Sequence, residues 1–220
     1  MINRLDLIRK QLESKGYIIE ELSKINQGKN SSSYKIHTSD NIFALKLYPE
    51  NIINKRDRLK SEKNFLLFLK ENNFSTVPKP ILWDHKNKWL LLSWLDGEKI
   101  STPTKEHCNL LINFLKDIQL YKNSQTAKNI LNASEACFNV DEHINHIKFR
   151  ITFLLNHLKD SSSINYNYYS DIRNFIEDLS KQIKVIEQKD INNINRKIIV
   201  EKILSPSDIG FHNTLINKNI

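Results

Sequence analysis

The chain is short of the residues that cross-link it or break it. Its 220 residues include two cysteines, four glycines, five prolines and one methionine. Cys108 and Cys137 stand alone and form no C-x-x-C pair. In a reducing compartment they read as small buried hydrophobes rather than as a staple or a metal site. No apolar run approaches the roughly 20 residues that a membrane helix needs. The N-terminus, Met1-Ile2-Asn3-Arg4-Leu5-Asp6, has no apolar core of a secretory signal, which points to a cytoplasmic protein. The formal charge is +8, yet Lys and Arg never form a run of five. The excess is spread among acids, so it carries no concentrated footprint for nucleic acid.

What remains is an ordinary water-exposed composition, 40% hydrophobic and 26% charged, long enough for one large domain or two small lobes. Leu5, Ile8 and Leu12 recur at helical spacing before Gly16, a natural stop. Leu22 to Gln27 and Ser31 to Ile36 read as strands joined by a small polar turn containing Gly28, Asn30, Ser31 and Ser32. The backbone N–H groups of such a turn can approach an anion, and a plain hairpin turn is the other reading.

Asn41 to Pro49 is a strand with apolar residues on both faces. Its two-residue period puts Ile42, Ala44, Lys46 and Tyr48 on one face. A lysine there must reach out to water or meet a partner. Residues 55–71 form a helix pattern in which Glu62 lies three after Leu59 and four before Leu66, on the apolar stripe. A carboxylate aimed at a core is costly unless a cation meets it. Lys46 and Glu62 therefore account for each other, although two unrelated surface charges would leave the same trace.

Two further strands, Ile81 to Trp83 and Trp89 to Leu95, run into Asp96-Gly97, a natural hinge. Thr102 and Pro103 suit a helix start, followed by an apolar face of Leu110, Leu111, Phe114, Leu115 and Ile118. Two more helices carry Ile144, Ile147, Ile151, Leu154, Leu155 and Leu158, then Ile172, Phe175, Ile176, Leu179, Ile183 and Ile186, facing inward. Lys197 to Val200 then lead into the final stretch. His143 and His146 sit three apart, whereas H-E-x-x-H zinc motifs space histidines by four. A polar helix flank explains them better. His107 and Cys108 lack the third group of a nucleophilic triad.

The last stretch, Ser205-Pro206-Ser207-Asp208-Ile209-Gly210-Phe211-His212-Asn213, sets Asp208 five positions before Asn213 between apolar segments. A carboxylate there can orient and deprotonate a hydroxyl, while the amide can ligate a metal that carries phosphate. In this order the residues resemble the aminoglycoside phosphotransferase and choline kinase-like family. The resemblance implies an α+β, protein-kinase-like, two-lobed fold. Residues 1–95 would be an N-lobe with an antiparallel sheet and a helix, and 96–220 a mostly helical C-lobe. It further implies ATP and Mg2+ as cofactors and a small-molecule hydroxyl as acceptor (an aminoglycoside, a sugar or a choline-like alcohol). No nucleic acid or membrane partner is implied. Gly28, Asn30, Ser31 and Ser32 would cover the phosphates, Lys46 held by Glu62 would contact them, and Ser93, Trp94 and Leu95 would form the adenine-contacting hinge. Asp208 would be the catalytic base and Asn213 a magnesium ligand. The Ser-Pro-Ser-Asp-x-Gly-Phe-His-Asn version resembles bacterial members tied to sugar or cell-envelope chemistry.

Three departures stand out. Pro206-Ser207 replace the family's His-Gly before the Asp. Gly210 stands where the family has His and protein kinases have Lys, so a positive group is missing from that position. Family members also carry a further strand and a metal-binding Asp after the Asn, which this sequence does not reach. The expectation is a truncated kinase, or else an inert kinase-like binding module.

Overall fold

The computed structural model describes residues 3–27, 31–49, 57–133, 135–160, 166–189, 201–206 and 208–217. They form two compact units, one of residues 1–132 with 203–220 and the other of 133–202. No helix among the described residues is long and apolar enough to cross a membrane.

The first unit is built on an antiparallel five-stranded sheet. Its strands are β1 (Ile19–Gln27), β2 (Ser32–Thr38), β3 (Ile42–Leu47), β4 (Pro80–Asp84) and β5 (Trp89–Ser93), in the order β1-β2-β3-β5-β4. β3 lies inside the sheet, and the strand period divides its side chains between two cores. Leu45 and Leu47 pack with Trp89 and Leu91 against Ile8 and Leu12 of α1 (Arg4–Glu13). Ala44 and Tyr48 lie on the opposite face with Leu90 and Leu92, against Leu59, Leu66, Phe68 and Leu69 of α2 (Arg58–Glu71). A helix thus covers each face, which is why β3 and β5 carry apolar residues at consecutive positions. Asp57 caps α2 by accepting from the Lys60 amide at 3.0 Å.

The second core continues into α3 (Lys105–Gln119) through Phe114, Leu115 and Ile118, and receives Leu204 from the segment that precedes Asp208. The sequence pattern and the structure differ at the start of α3. Its cap is Thr104, whose hydroxyl accepts from the His107 amide while the His107 ring accepts from the Thr104 amide. Thr102 and Pro103 lie before it. Contact with this core begins at Phe114, and in the turns before it His107 faces the Phe211 ring while most other side chains are exposed. Leu110, expected inward, is 58% exposed, and Cys108, expected buried, is exposed as well. Cys137 is only partly buried.

The second unit pairs α4 (Val140–Asp160) with α5 (Tyr166–Lys189). Ile144 and Ile151 on one helix meet Ile176 and Ile183 on the other, each pair seven residues apart. Two helices in contact bury one such seam and little more. Leu154, Ile172, Phe175 and Ile186, expected inward from periodicity alone, therefore lie outside the seam and are exposed. His146 lies 3.7 Å from Glu135, which also pairs with Arg150 at 2.5 Å. Lys197 to Val200 lie outside the described residues.

Candidate active site

Two constellations in the first unit contain most of the residues singled out by the sequence. The first lies between β3 and α2. Lys46 Nζ donates to Glu62 Oε1 at 2.6 Å, and the two side chains are 26% and 32% exposed. The strand period aims Lys46 at the α2 face, and the helix period aims Glu62 back at the sheet. The pair inferred from sequence is therefore a direct ion pair.

The structure adds a third member. Tyr48, two residues after Lys46 on the same face, donates its hydroxyl to Glu62 Oε2 at 2.7 Å. Both oxygens of Glu62 are thereby fixed. Tyr48 is almost wholly buried. Burial, reinforced by the Glu62 charge, pushes its pKa far above the usual tyrosine range and keeps the phenol protonated as a donor. The signal was present in the sequence: the two-residue period already put Tyr48 beside Lys46, and a buried hydroxyl needs an acceptor.

A raised pKa contributes stability that is complete below the unfolded value of about 10 and is lost as pH rises through the folded one. Tyr48→Phe should therefore lower stability by about 1–2 kcal/mol, with a difference that stays flat between about pH 6 and 9. Thermal and urea unfolding across that range measure it. A variant as stable as wild type would remove Tyr48 from the clamp.

The second constellation is the loop from Pro206 to Asn213. Both of its ends are held. On the entry side, the Gln119 side chain on α3 accepts from the Leu204 amide at 2.9 Å and donates to the Leu204 carbonyl at 2.8 Å. The side-chain amide thus pairs with the backbone as a neighbouring strand would. On the exit side, β7 (Leu215–Ile216) pairs with β6 (Glu98–Lys99), just beyond the hinge. Gly97 permits that approach. Its φ is +157°, and a Cβ there would lie 2.9 Å from Leu215 Cβ and 3.0 Å from the Ile216 carbonyl oxygen.

Within the loop, Asn213 Nδ2 donates to the Asp208 backbone carbonyl at 3.0 Å, and Thr214 Oγ1 donates to the Gly210 carbonyl at 2.8 Å. Asp208 and Asn213 are thus brought together through the backbone. The Asp208 carboxylate is 77% exposed, with His212 Nε2 3.3 Å from its Oδ1.

The hinge is more constrained than its sequence suggests. The Ser93 amide donates to the Lys79 carbonyl at 2.9 Å, and Ser93 Oγ accepts from the Lys79 amide at 2.8 Å. Ser93 therefore anchors the strand end, with its N–H already engaged. Trp94 Nε1 donates to Asp96 at 2.8 Å, and Lys35 Nζ lies 4.6 Å from the centre of the Trp94 ring. Leu95 is half-buried. Gly28 and Asn30 lie outside the described residues, while Ser32 opens β2 opposite Leu47 and its neighbour Ser33 pairs with Lys46.

The structure thus holds a lysine–glutamate pair that links the sheet to its covering helix, and an Asp–Asn loop whose exit strand pairs just beyond Gly97. Comparison with solved structures finds several matches. In the solved spectinomycin phosphotransferase APH(9)-Ia, in complex with ADP and spectinomycin, the matched region covers 96% of this chain and 65% of that one, at 14% identity and a TM-score of 0.56. Choline kinase LicA from Streptococcus pneumoniae matches 84% of this chain and 58% of its own, at 16% identity and a TM-score of 0.48. A Plasmodium vivax ethanolamine kinase matches 77% and 50%, at 18% identity and a TM-score of 0.43. The chain thus spans less than two thirds of the length of these structures. No curated protein sequence matches it. The likeness to the first shows the protein-kinase-like fold. The model of the phosphotransferase enzyme family matches residues 21–152, more than half of the chain, a stretch that holds Lys46, Glu62 and the hinge and ends before Asp208. The chain belongs to the phosphotransferase enzyme family.

Proposed function

We propose that the protein transfers the terminal phosphoryl group of ATP to a hydroxyl of a small molecule. The observation that carries this reading is the Lys46–Glu62 pair, fixed at 2.6 Å in the family-matched region and braced by Tyr48. An ammonium offers three donors, of which Glu62 takes one, so Lys46 retains hydrogens for phosphate oxygens. The residues fit a nucleotide in that respect. They fit magnesium more narrowly. Among the described residues no three His, Cys, Asp or Glu side chains cluster. The Asn213 side chain offers one hard amide oxygen in the loop that carries Asp208. Magnesium keeps several waters and takes oxygens from phosphate, so a single protein amide suits it as one ligand among six or so.

When bound, magnesium nucleotide supplies the phosphoryl group and neutralises charge that builds on it. The chain supplies position. Lys46, aimed by Glu62, holds the phosphates, and the backbone near Gly28, Asn30, Ser31 and Ser32 covers them. Trp94 and Leu95 border the base. Asp208 accepts the proton from the acceptor hydroxyl, and its exposure leaves room for that hydroxyl to approach. The acceptor class is an amino sugar, a sugar, choline or an aminoglycoside.

The experiment is a screen for ADP release with ATP, magnesium and each of those four classes, run beside a binding titration with ADP. Turnover above the water-only rate with one class is the expected result. Nucleotide binding with no turnover on any of them would favour a kinase-like binding module, and absence of both would overturn the reading.

A further inference from the structure

The loop's sequence leaves one position bare and another unexplained. Gly210, two residues after Asp208, brings no side chain where related loops carry a cationic one, and His212 has no role in the reading above. The structure joins the two facts. A Cβ built on Gly210 would lie 2.9 Å from both Cε1 and Nδ1 of His212. The imidazole therefore occupies the space into which a side chain at 210 would grow. The backbone does not demand glycine at that point, because Gly210 is extended, with φ −177° and ψ 163°. A side chain there would displace the imidazole from this position.

The ring that fills the space reaches both candidate site residues. His212 Nε2 lies 3.3 Å from Asp208 Oδ1 and 3.0 Å from Asn213 Nδ2. One ring nitrogen thus faces a carboxylate oxygen on one side and an amide nitrogen on the other. Asn213 spends one amide hydrogen on the Asp208 carbonyl. Nε2 can serve only one of its two neighbours: in the tautomer with the proton on Nδ1 it accepts the second Asn213 hydrogen, and in the other it donates to Asp208 Oδ1. In the first tautomer the amide is held at two points and its oxygen is fixed in direction, which a lone surface Asn would not have.

We propose that His212 is a positioning residue of this loop. Its ring, lying over Gly210 with its proton on Nδ1, accepts from Asn213 Nδ2 and sets that side chain in one orientation. Gly210 and His212 form a unit, in which the bare backbone of the first leaves the space that the ring of the second occupies. This deepens the phosphotransferase reading and rests on it for its purpose. The positioning itself is a statement about side-chain order and can be tested without turnover.

The readout is nuclear magnetic resonance of the Asn213 side-chain amide in the full chain: its chemical shift and its rate of hydrogen exchange with water. In His212→Ala the exchange should speed up by about tenfold and the shift should move, with an unchanged unfolding temperature. Gly210→Ala leaves the imidazole in the sequence and displaces it, so the same signal should change in the same direction. His212→Gln, which brings an amide near the position of Nε2, should restore most of the protection. Combining Gly210→Ala with His212→Ala should add nothing to the single loss, since both remove one contact. Unchanged Asn213 exchange in His212→Ala, or additive effects in the double variant, overturns the proposal. Affinity for magnesium ADP, measured on the same proteins, separates the two readings. No affinity in the wild type would sink the kinase reading, while the amide signal would still decide the role of His212.

Discussion

Alanine at position 208 is expected to reduce turnover by about 10^2–10^4-fold while leaving ADP affinity within about twofold of wild type. The size follows from removing a positioned proton acceptor. The selectivity follows from how the loop is built. Asn213 is held by the backbone carbonyl of residue 208, not by its carboxylate, and Thr214 is held by the Gly210 carbonyl. Entry and exit are fixed by Gln119 and by the pairing of β6 with β7. None of these bonds involves the Asp208 side chain, which is largely exposed and leaves no cavity when shortened. The substitution therefore removes chemistry and spares shape. Steady-state rates of ADP release with an accepted alcohol, alongside ADP titration and an unfolding curve, measure both halves. Wild-type turnover would take the proton away from Asp208. A large loss of stability would show that the carboxylate holds the loop after all.

The parts legible in the sequence were those set by short-range periodicity. The strand period aligned Ala44, Lys46 and Tyr48, and the helix period turned Glu62 toward them; from the two together the ion pair could be read before any coordinates. The partner of the Tyr48 hydroxyl needs one step more, the rule that a buried phenol finds an acceptor. Periodicity alone overstates the buried faces of α3, α4 and α5. Periodicity reports which residues share a face, but not how much of that face a neighbour covers. Leu110 shares a face with Phe114 and Ile118, yet it precedes the point where the core begins. Phe175 flanks Ile176 on a helix whose partner covers one seam. Nor does local pattern reveal bonds between distant segments. Gln119 and Leu204 are 85 residues apart, and no spacing rule marks a glutamine that will pair with a backbone. Gly97 read as a hinge glycine, while its closest demand comes from Leu215 and Ile216, across the chain. The His212 ring over Gly210 belongs with these, since two residues in an irregular loop obey no period.

Loss of Lys46 should act on the other half of the site. Lys46→Ala is expected to weaken ADP affinity by about 10–100-fold, the effect of removing a charge-assisted hydrogen bond at a half-buried position. The same change also strands Glu62, which would keep Tyr48 as a donor but lose its cation. Part of any measured loss could then come from a displaced Glu62 and not from a missing phosphate contact. Glu62→Gln separates the two. Its one carbonyl oxygen can still accept from Lys46 while its NH2 meets the Tyr48 hydroxyl, and the charge that aims the ammonium is gone, so it should weaken ADP binding by less, about 3–10-fold. If Lys46 acts on phosphate only from the position Glu62 gives it, the double variant should be no weaker than Lys46→Ala alone. Equilibrium titration with ADP, and with adenosine as a control lacking phosphate, reads this directly. Adenosine affinity should be the same in all four proteins, because the clamp faces the phosphates. Unchanged ADP affinity in Lys46→Ala would reduce the pair to a brace between β3 and α2. Equal losses for ADP and adenosine would mean that the substitution loosens the sheet and not the phosphate site.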